Sequence, residues 1–304
     1  MISRTEEGVL LLCSTLGMQN PRPLSAAAFR RLSLRAAAMG MGERDTVSEL
    51  KQQDLERLGY TAAESSRILA LLNRRAALER YLRAAEAAGI YPLTRLSALY
   101  PAGLRRQLGL YCPPVLFCRG DLQLLEGPCV SLVGARDLHE PGCSFARRVG
   151  RLAAEEDMTL VSGGARGADT EAQNACLAAG GRVAVFAAGS LLEFPAAAAD
   201  CLLLLSEAGF DEAFSAERAL RRNRFIHAAG SLTLAAQTDY GRGGTWSGCT
   251  ENLKHGWSPV FVCDDGSAGA RGLVDRGATA VPPDGPQSLH GLRPAMEQLS
   301  LPGQ

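Results

Sequence analysis

Three short strings carry the residue types that could do chemistry: Val133-Gly134-Ala135-Arg136, Ser162-Gly163-Gly164-Ala165-Arg166-Gly167-Ala168-Asp169, and Arg221-Arg222-Asn223-Arg224. The first two follow apolar runs that read as buried strands, and the second also opens a helix. Glycines at such a junction let the backbone come close to an anion, exposed N–H groups point at it, and the helix N-terminus adds partial positive charge. Arg166, between small residues, is placed to reach a phosphate through a charge-assisted bond. Ser162 can donate its hydroxyl, and Asp169 is expected mainly as a helix N-cap. Arg136 and Arg166 would frame one mouth, and Arg222, Asn223 and Arg224 would line a groove beside it. A further glycine-rich stretch, Tyr240 to Glu251, offers a second phosphate or ribose site at Gly243, Gly244, Thr245 and Glu251. The chemistry these residues suggest is the binding of phosphate-bearing molecules, either nucleotides or nucleic acid.

The spacing is neither a dinucleotide fingerprint nor a Walker A loop. No HExxH, GxSxG or acidic cluster suited to a divalent cation occurs. The four histidines are far apart, so the expectation is a binder with no metal, no cofactor and no catalytic set.

The elements that must position these strings follow from periodicity. Apolar runs at Cys129–Val133, Met158–Val161, Arg182–Ala187, Leu202–Leu205, Leu232–Ala236, Pro259–Cys263 and Ala278–Val281 read as strands. Between them, helices are predicted over 142–156, 168–179, 195–199, 216–229, 245–255 and 269–276. Continuous apolar strands alternating with helices predict an α/β fold: a doubly wound, mostly parallel, Rossmann-like sheet. In such sheets ligands sit beyond the carboxyl ends of the strands, which is where the strings fall.

Before residue 89 the pattern is helical. Residues 1–88 read as a small all-helical domain, with one long helix over Ala62–Ala88 and a capping box at Thr46–Glu49. Its arginines, Arg74 included, are expected on solvated faces. Residues 89–128 read as a proline-rich connector and the start of the Rossmann-like domain, with a short strand at Val115–Phe117, residues 129–285 as the Rossmann-like domain that binds phosphate or nucleic acid, and 286–304 as a flexible tail.

The 304 residues contain 32 Lys+Arg and 32 Asp+Glu. Residues 1–110 hold 16 basic and 10 acidic residues and the rest hold 16 and 22, so a polyanion site in the second part must be a local arginine cluster. No apolar run approaches the ~18 residues that span a bilayer. Nine cysteines without metal spacing read as reduced packing residues of a cytoplasmic protein.

The combination of Tyr91-Pro92, Pro113-Pro-Val-Leu-Phe-Cys-Arg-Gly120-Asp121, Val133-Gly-Ala-Arg136, Val161 to Asp169, Ser206-Glu207 and Arg222-Asn-Arg-Phe-Ile226 resembles the DNA-processing protein DprA (Smf) family over roughly residues 90–280. The resemblance implies a non-enzymatic, dimeric, single-stranded DNA-binding protein that helps load a RecA-type recombinase during DNA uptake. It assigns binding roles to Gly134, Arg136, Ser162, Gly163, Arg166, Gly167, Arg222, Asn223 and Arg224. The chain departs from the family pattern at Ala135, Gln173 and Gln237. Gly243-Gly-Thr245 with Glu251 is similar to the glycine-rich motif of the LOG-type nucleoside-monophosphate phosphoribohydrolases. That likeness implies the alternative of a nucleotide sensor or hydrolase.

Overall fold

The computed structural model describes residues 2–40, 49–194 and 200–294. Five helices come first: α1 (Arg4–Cys13), α2 (Ala26–Ala38), α3 (Gln52–Arg57), α4 (Ala62–Leu72) and α5 (Arg75–Ala87). Capping boxes start α1 (Ser3 with Glu6) and α4 (Thr61 with Glu64), each satisfying otherwise orphaned N-terminal amides. The Thr46–Glu49 box lies largely outside the described residues.

The single helix expected over Ala62–Ala88 is in fact two, broken at Asn73-Arg74. Arg74 gives the reason. Only 6% exposed, it donates to the carbonyls of Leu11, Ser14, Thr15 and Leu71. It thus collects the orphaned carbonyls at the end of α1, where a cation is favoured. The expectation of a solvated Arg74 is corrected accordingly.

The rest alternates strands and helices: β1 (Tyr91–Thr94), α6 (Ala102–Leu108), β2 (Val115–Arg119), β3 (Cys129–Val133), α7 (Glu140–Glu155), β4 (Thr159–Ser162), α8 (Ala168–Ala178), β5 (Arg182–Phe186), β6 (Leu202–Ser206), α9 (Ala216–Ala229), β7 (Leu232–Ala235), α10 (Gly243–His255), β8 (Val260–Cys263), α11 (Ala268–Val274) and β9 (Thr279–Val281). The helix predicted at 195–199 falls outside the described residues. The nine strands form one sheet in the order β1-β2-β6-β5-β4-β3-β7-β8-β9. From β6 to β9 all pairings are parallel, so the doubly wound architecture is observed. The strand order reverses between β3 and β7, which makes the carboxyl end of β3 the topological switch point.

The expected connector contributes two strands. β1 pairs antiparallel with β2, and β2 antiparallel with β6. Pro92 is tolerated in β1 because that strand lies at the sheet edge, where a missing N–H breaks no ladder.

Residue alternation divides the core. Leu160, Val183, Val185 and Leu204 face one side, in a cluster shared with α7, α8 and the N-terminal helices. Val161, Ala184, Phe186, Leu203 and Leu205 face the other, with residues of α6, α9, α10 and α11. The first residues of the expected flexible tail are docked. Leu289 is fully buried, and the Glu156 carboxylate accepts from the amides of Leu289 and His290.

Candidate nucleic-acid interface

The loop from Gly163 to Gly167 joins β4 to α8 at the carboxyl edge of the sheet, and its shape is dictated from within. The expectation that Asp169 caps the helix is corrected. Gly167 occupies the cap position, with φ of +89°, and Asp169 sits in the first turn. Its carboxylate reaches back and accepts from the amides of Gly163 (3.0 Å) and Ala165 (3.1 Å). Those two N–H groups are therefore committed to the loop itself. The N–H groups of Gly164, Arg166 and Gly167 find no acceptor among the described residues. Gly167 packs against the loop after β3, where an added Cβ would fall 2.4 Å from the Ala135 carbonyl oxygen. Gly134 is a close-approach residue of the same contact: its Cβ would stand 2.4 Å from that of Ala168. The Ala168 amide donates to the Ala135 carbonyl at 3.1 Å and locks the two loops together.

Into this frame α9 inserts Arg222. It is only 7% exposed, and its Nε has no hydrogen-bond partner among the described residues. Gly163 makes room for it, since a Cβ there would meet Arg222 Nη1 at 1.6 Å. Burial pulls the Arg222 guanidinium below the ordinary arginine range, against the opposing pull of Asp169 and with a smaller push from Arg136. The Asp169 carboxyl is raised by burial, against the attraction of Arg222, its two amide bonds and Arg136. Arg136, exposed at the end of the β3 loop, places its guanidinium carbon 5.7 Å from the centre of the Phe214 ring. Arg166 stands at the rim, with Nη2 paired to Asp137 at 2.7 Å; their side chains are 76% and 86% exposed. An exposed pair of this kind is worth less than about 1 kcal/mol, so an incoming phosphate can take the arginine at small cost.

Several expected members stand elsewhere. Ser162 is fully buried, with its hydroxyl accepting from Gln173 at 2.5 Å, so its side chain is not presented at the mouth. Arg224 lies two residues past Arg222, about 200° around the helix. Its guanidinium stacks over Tyr111 (5.5 Å) and donates to the Arg221 carbonyl, away from the mouth. Arg221 pairs with Glu207 at 2.7 Å. Asn223 donates to the Gly244 carbonyl at 3.0 Å and fastens α9 to the start of α10.

The expected second site does not assemble. Gly243, Gly244 and Thr245 form the first turn of α10, but Glu251 is exposed six residues beyond Thr245, about 9 Å along the axis. No single sugar-phosphate joins those groups.

The departures at Gln173 and Gln237 have structural roles. Gln173 holds Ser162. Gln237 accepts from the His139 amide (2.8 Å) through Oε1, and its carbonyl accepts from the Ala135 amide (3.0 Å), which ties down the β3 loop. No group of His, Cys, Asp and Glu suited to a metal ion occurs among the described residues. The thiols of Cys129, Cys249 and Cys263 are pushed up to about 12 by burial, so they are protonated at neutral pH. No helix among the described residues is long and apolar enough to cross a membrane.

Sequence reasoning missed Phe214. It is 53% exposed at the mouth, directly before the α9 N-cap Ser215. An aromatic residue in a β–α loop on the carboxyl edge was the available signal. Two of the aromatic residues closest to the strings in sequence, Phe225 and Trp246, are buried.

Residues 92–288 match the family described as DNA recombination-mediator protein A. The DNA processing protein DprA of Streptococcus pneumoniae is 30% identical over 181 residues, covering 56% of this chain and 64% of that protein. Its X-ray structure superposes with a TM-score of 0.71 at 23% identity, over 92% of this chain and 95% of that one, which shows the shared fold. A Helicobacter pylori DNA processing protein A, whose structure was described for its single-stranded DNA binding mode, gives a TM-score of 0.52 at 25% identity, over 63% of this chain and 90% of that one. The family match runs over more than half of the sequence and takes in both glycine-arginine strings and the Arg221–Arg224 string, so this chain belongs to the DNA recombination-mediator protein A family.

Proposed function

We propose that the chain binds the backbone of single-stranded DNA at the mouth formed by the Gly163–Gly167 loop, Arg136, Arg166 and Arg222, as a non-enzymatic DNA-processing protein. The observation that carries this reading is the buried Arg222. Among the described residues its Nε lacks a partner, and it stands beside a loop whose Gly164, Arg166 and Gly167 N–H groups find no acceptor. A buried donor left without an acceptor costs about 1–3 kcal/mol, and a phosphate oxygen at the mouth removes that cost. The single-stranded DNA binding for which the Helicobacter pylori protein's structure was described supports the same ligand class. Action in the cytoplasm as a homodimer, delivering the strand to a RecA-type recombinase during DNA uptake, belongs to this proposal as well.

The test is a titration of labelled oligo-dT with dTMP as competitor, together with a search for free base after incubation with nucleoside monophosphates. Oligo-dT is expected to bind with steep salt dependence, because neutralised phosphates release counterions. At equal phosphate concentration dTMP should fail to displace it, and no base should appear. Displacement by dTMP phosphate for phosphate, or release of base, would overturn the reading in favour of a mononucleotide site.

A further inference from the structure

We propose that Phe214 is a base-stacking platform of this mouth, so that the site reads one nucleobase as well as the phosphates. The inference rests on the single-strand reading above. Three exposed aromatic residues occur among the described ones, Tyr111, Phe214 and Tyr240. Both tyrosines have a hydroxyl to give to water. Phe214 has none, yet its residue is 53% exposed. The Arg136 guanidinium lies over its ring, 5.7 Å from the centroid, so one face meets a phosphate-seeking cation while the exposed remainder of the ring is apolar surface beside it. Nucleotides present that pair of features together, an aromatic base and an anionic phosphate.

The ring is also held in place. The residues before it, Phe210 to Glu212, are tied to the N-terminal helices and to the β5 loop. Phe210 is buried against Tyr81, with ring centres 4.6 Å apart. The Tyr81 hydroxyl donates to Asp211 at 2.5 Å, and the Thr15 hydroxyl donates to Glu212 at 2.7 Å. The Phe210 carbonyl accepts from the amide of Leu191 and the hydroxyl of Ser190. On the far side, Arg218 of α9 pairs with Glu212 at 3.6 Å. Gly189 passes under Phe214, where any Cβ would lie 3.3 Å from the Phe214 nitrogen. An apolar ring on a loop fastened from three sides loses little freedom when a base lands on it, which is the economy of a preorganised contact. The helical N-terminal region thus contributes to the site through this loop, without touching the strand.

The experiment compares oligo-dT with an abasic deoxyribose-phosphate strand of the same length, for wild type, Phe214→Ala, Phe214→Trp and Arg136→Ala. Stacking predicts that Phe214→Ala weakens oligo-dT roughly tenfold, leaves the abasic strand and the salt slope unchanged, and that Phe214→Trp binds oligo-dT at least as well as wild type. Arg136→Ala should weaken both strands. If Arg136→Ala does so while Phe214→Ala leaves oligo-dT unaffected, or weakens both strands equally, the stacking role is overturned and the phosphate site stands. If Arg136→Ala weakens neither strand, the site reading fails and the stacking proposal with it.

Discussion

Two glycine-rich loops on the carboxyl edge open helices in this molecule, and they have opposite fates. The Gly163–Gly167 loop spends two amides on its own Asp169, keeps three amides without acceptors among the described residues, and receives a buried guanidinium from α9. The first turn of α10, at Gly243–Thr245, receives Asn223, a neutral side chain whose bond to the Gly244 carbonyl is a packing fastener. Both read alike as strings of small residues. What separates them is where a helix from elsewhere in the chain delivers its charge. A glycine-rich turn supplies room and dipoles, and only a guanidinium brought in by the fold turns that room into a phosphate site.

The largest effect is expected from Arg222→Ala, which leaves Asp169 buried beside a void. Loss of one member of a buried charged set costs about 3 kcal/mol, visible as a lower denaturation midpoint, and oligo-dT affinity should fall by more than tenfold. Gly163→Ala sharpens the point with no change of charge. Its Cβ would fall on the Arg222 guanidinium, the far end of a flexible chain, so the fold should persist while the affinity drops roughly tenfold. Arg166→Ala is expected to be milder. It removes one phosphate contact, weakens every sequence about equally and shallows the salt slope by ~1. The smallest effect is expected at the other loop, where Thr245→Ala and Glu251→Gln should leave affinity unchanged and stability within about 0.5 kcal/mol. Strong loss of oligo-dT binding in those two variants would erase the distinction between the loops.

Acid should reinforce the contrast. The Asp169 carboxyl is raised above the usual range by burial, so its folded form takes up a proton at higher pH than the unfolded chain does. Protonation favours the folded state on the acid side of that raised value, and this contribution is lost as the pH climbs through it. It also removes a negative charge facing Arg222 and Arg136. Oligo-dT affinity is therefore expected to rise as the pH is lowered toward the titration of Asp169, and an Asp169→Asn variant should show that rise abolished.

Much of this was legible in the chain. The strand Cys129–Val133 and the helix 216–229 coincide with the observed bounds, because continuous apolar runs and a clean 3.6-residue pattern leave little alternative. The antiparallel β1 was not legible, because Pro92 reads as a breaker until the strand is known to be an edge. Arg136, Gly163, Arg166 and Arg222 are legible from residue type and junction. Arg224 reads as one of them, although 100° per residue already sends it to the far side of α9 from Arg222. The roles of Ser162 and Asp169 depend on Gln173 and on the loop amides, which are contacts that only the folded chain defines. Phe214 could be flagged only as an aromatic residue in a β–α loop; that its ring stays uncovered is a contact property that only the folded chain defines.

Arg136, Arg166 and Arg222, delivered from different parts of the chain, hold phosphates at one mouth in this reading. The most direct measurement is the salt dependence of oligo-dT binding by wild type and by an Arg136→Ala/Arg166→Ala double variant, with refolding checked by circular dichroism. Convergence of these arginines predicts a slope shallower by ~1.4 and a large loss of affinity at low salt, with the fold intact. An unchanged slope with full affinity would contradict it.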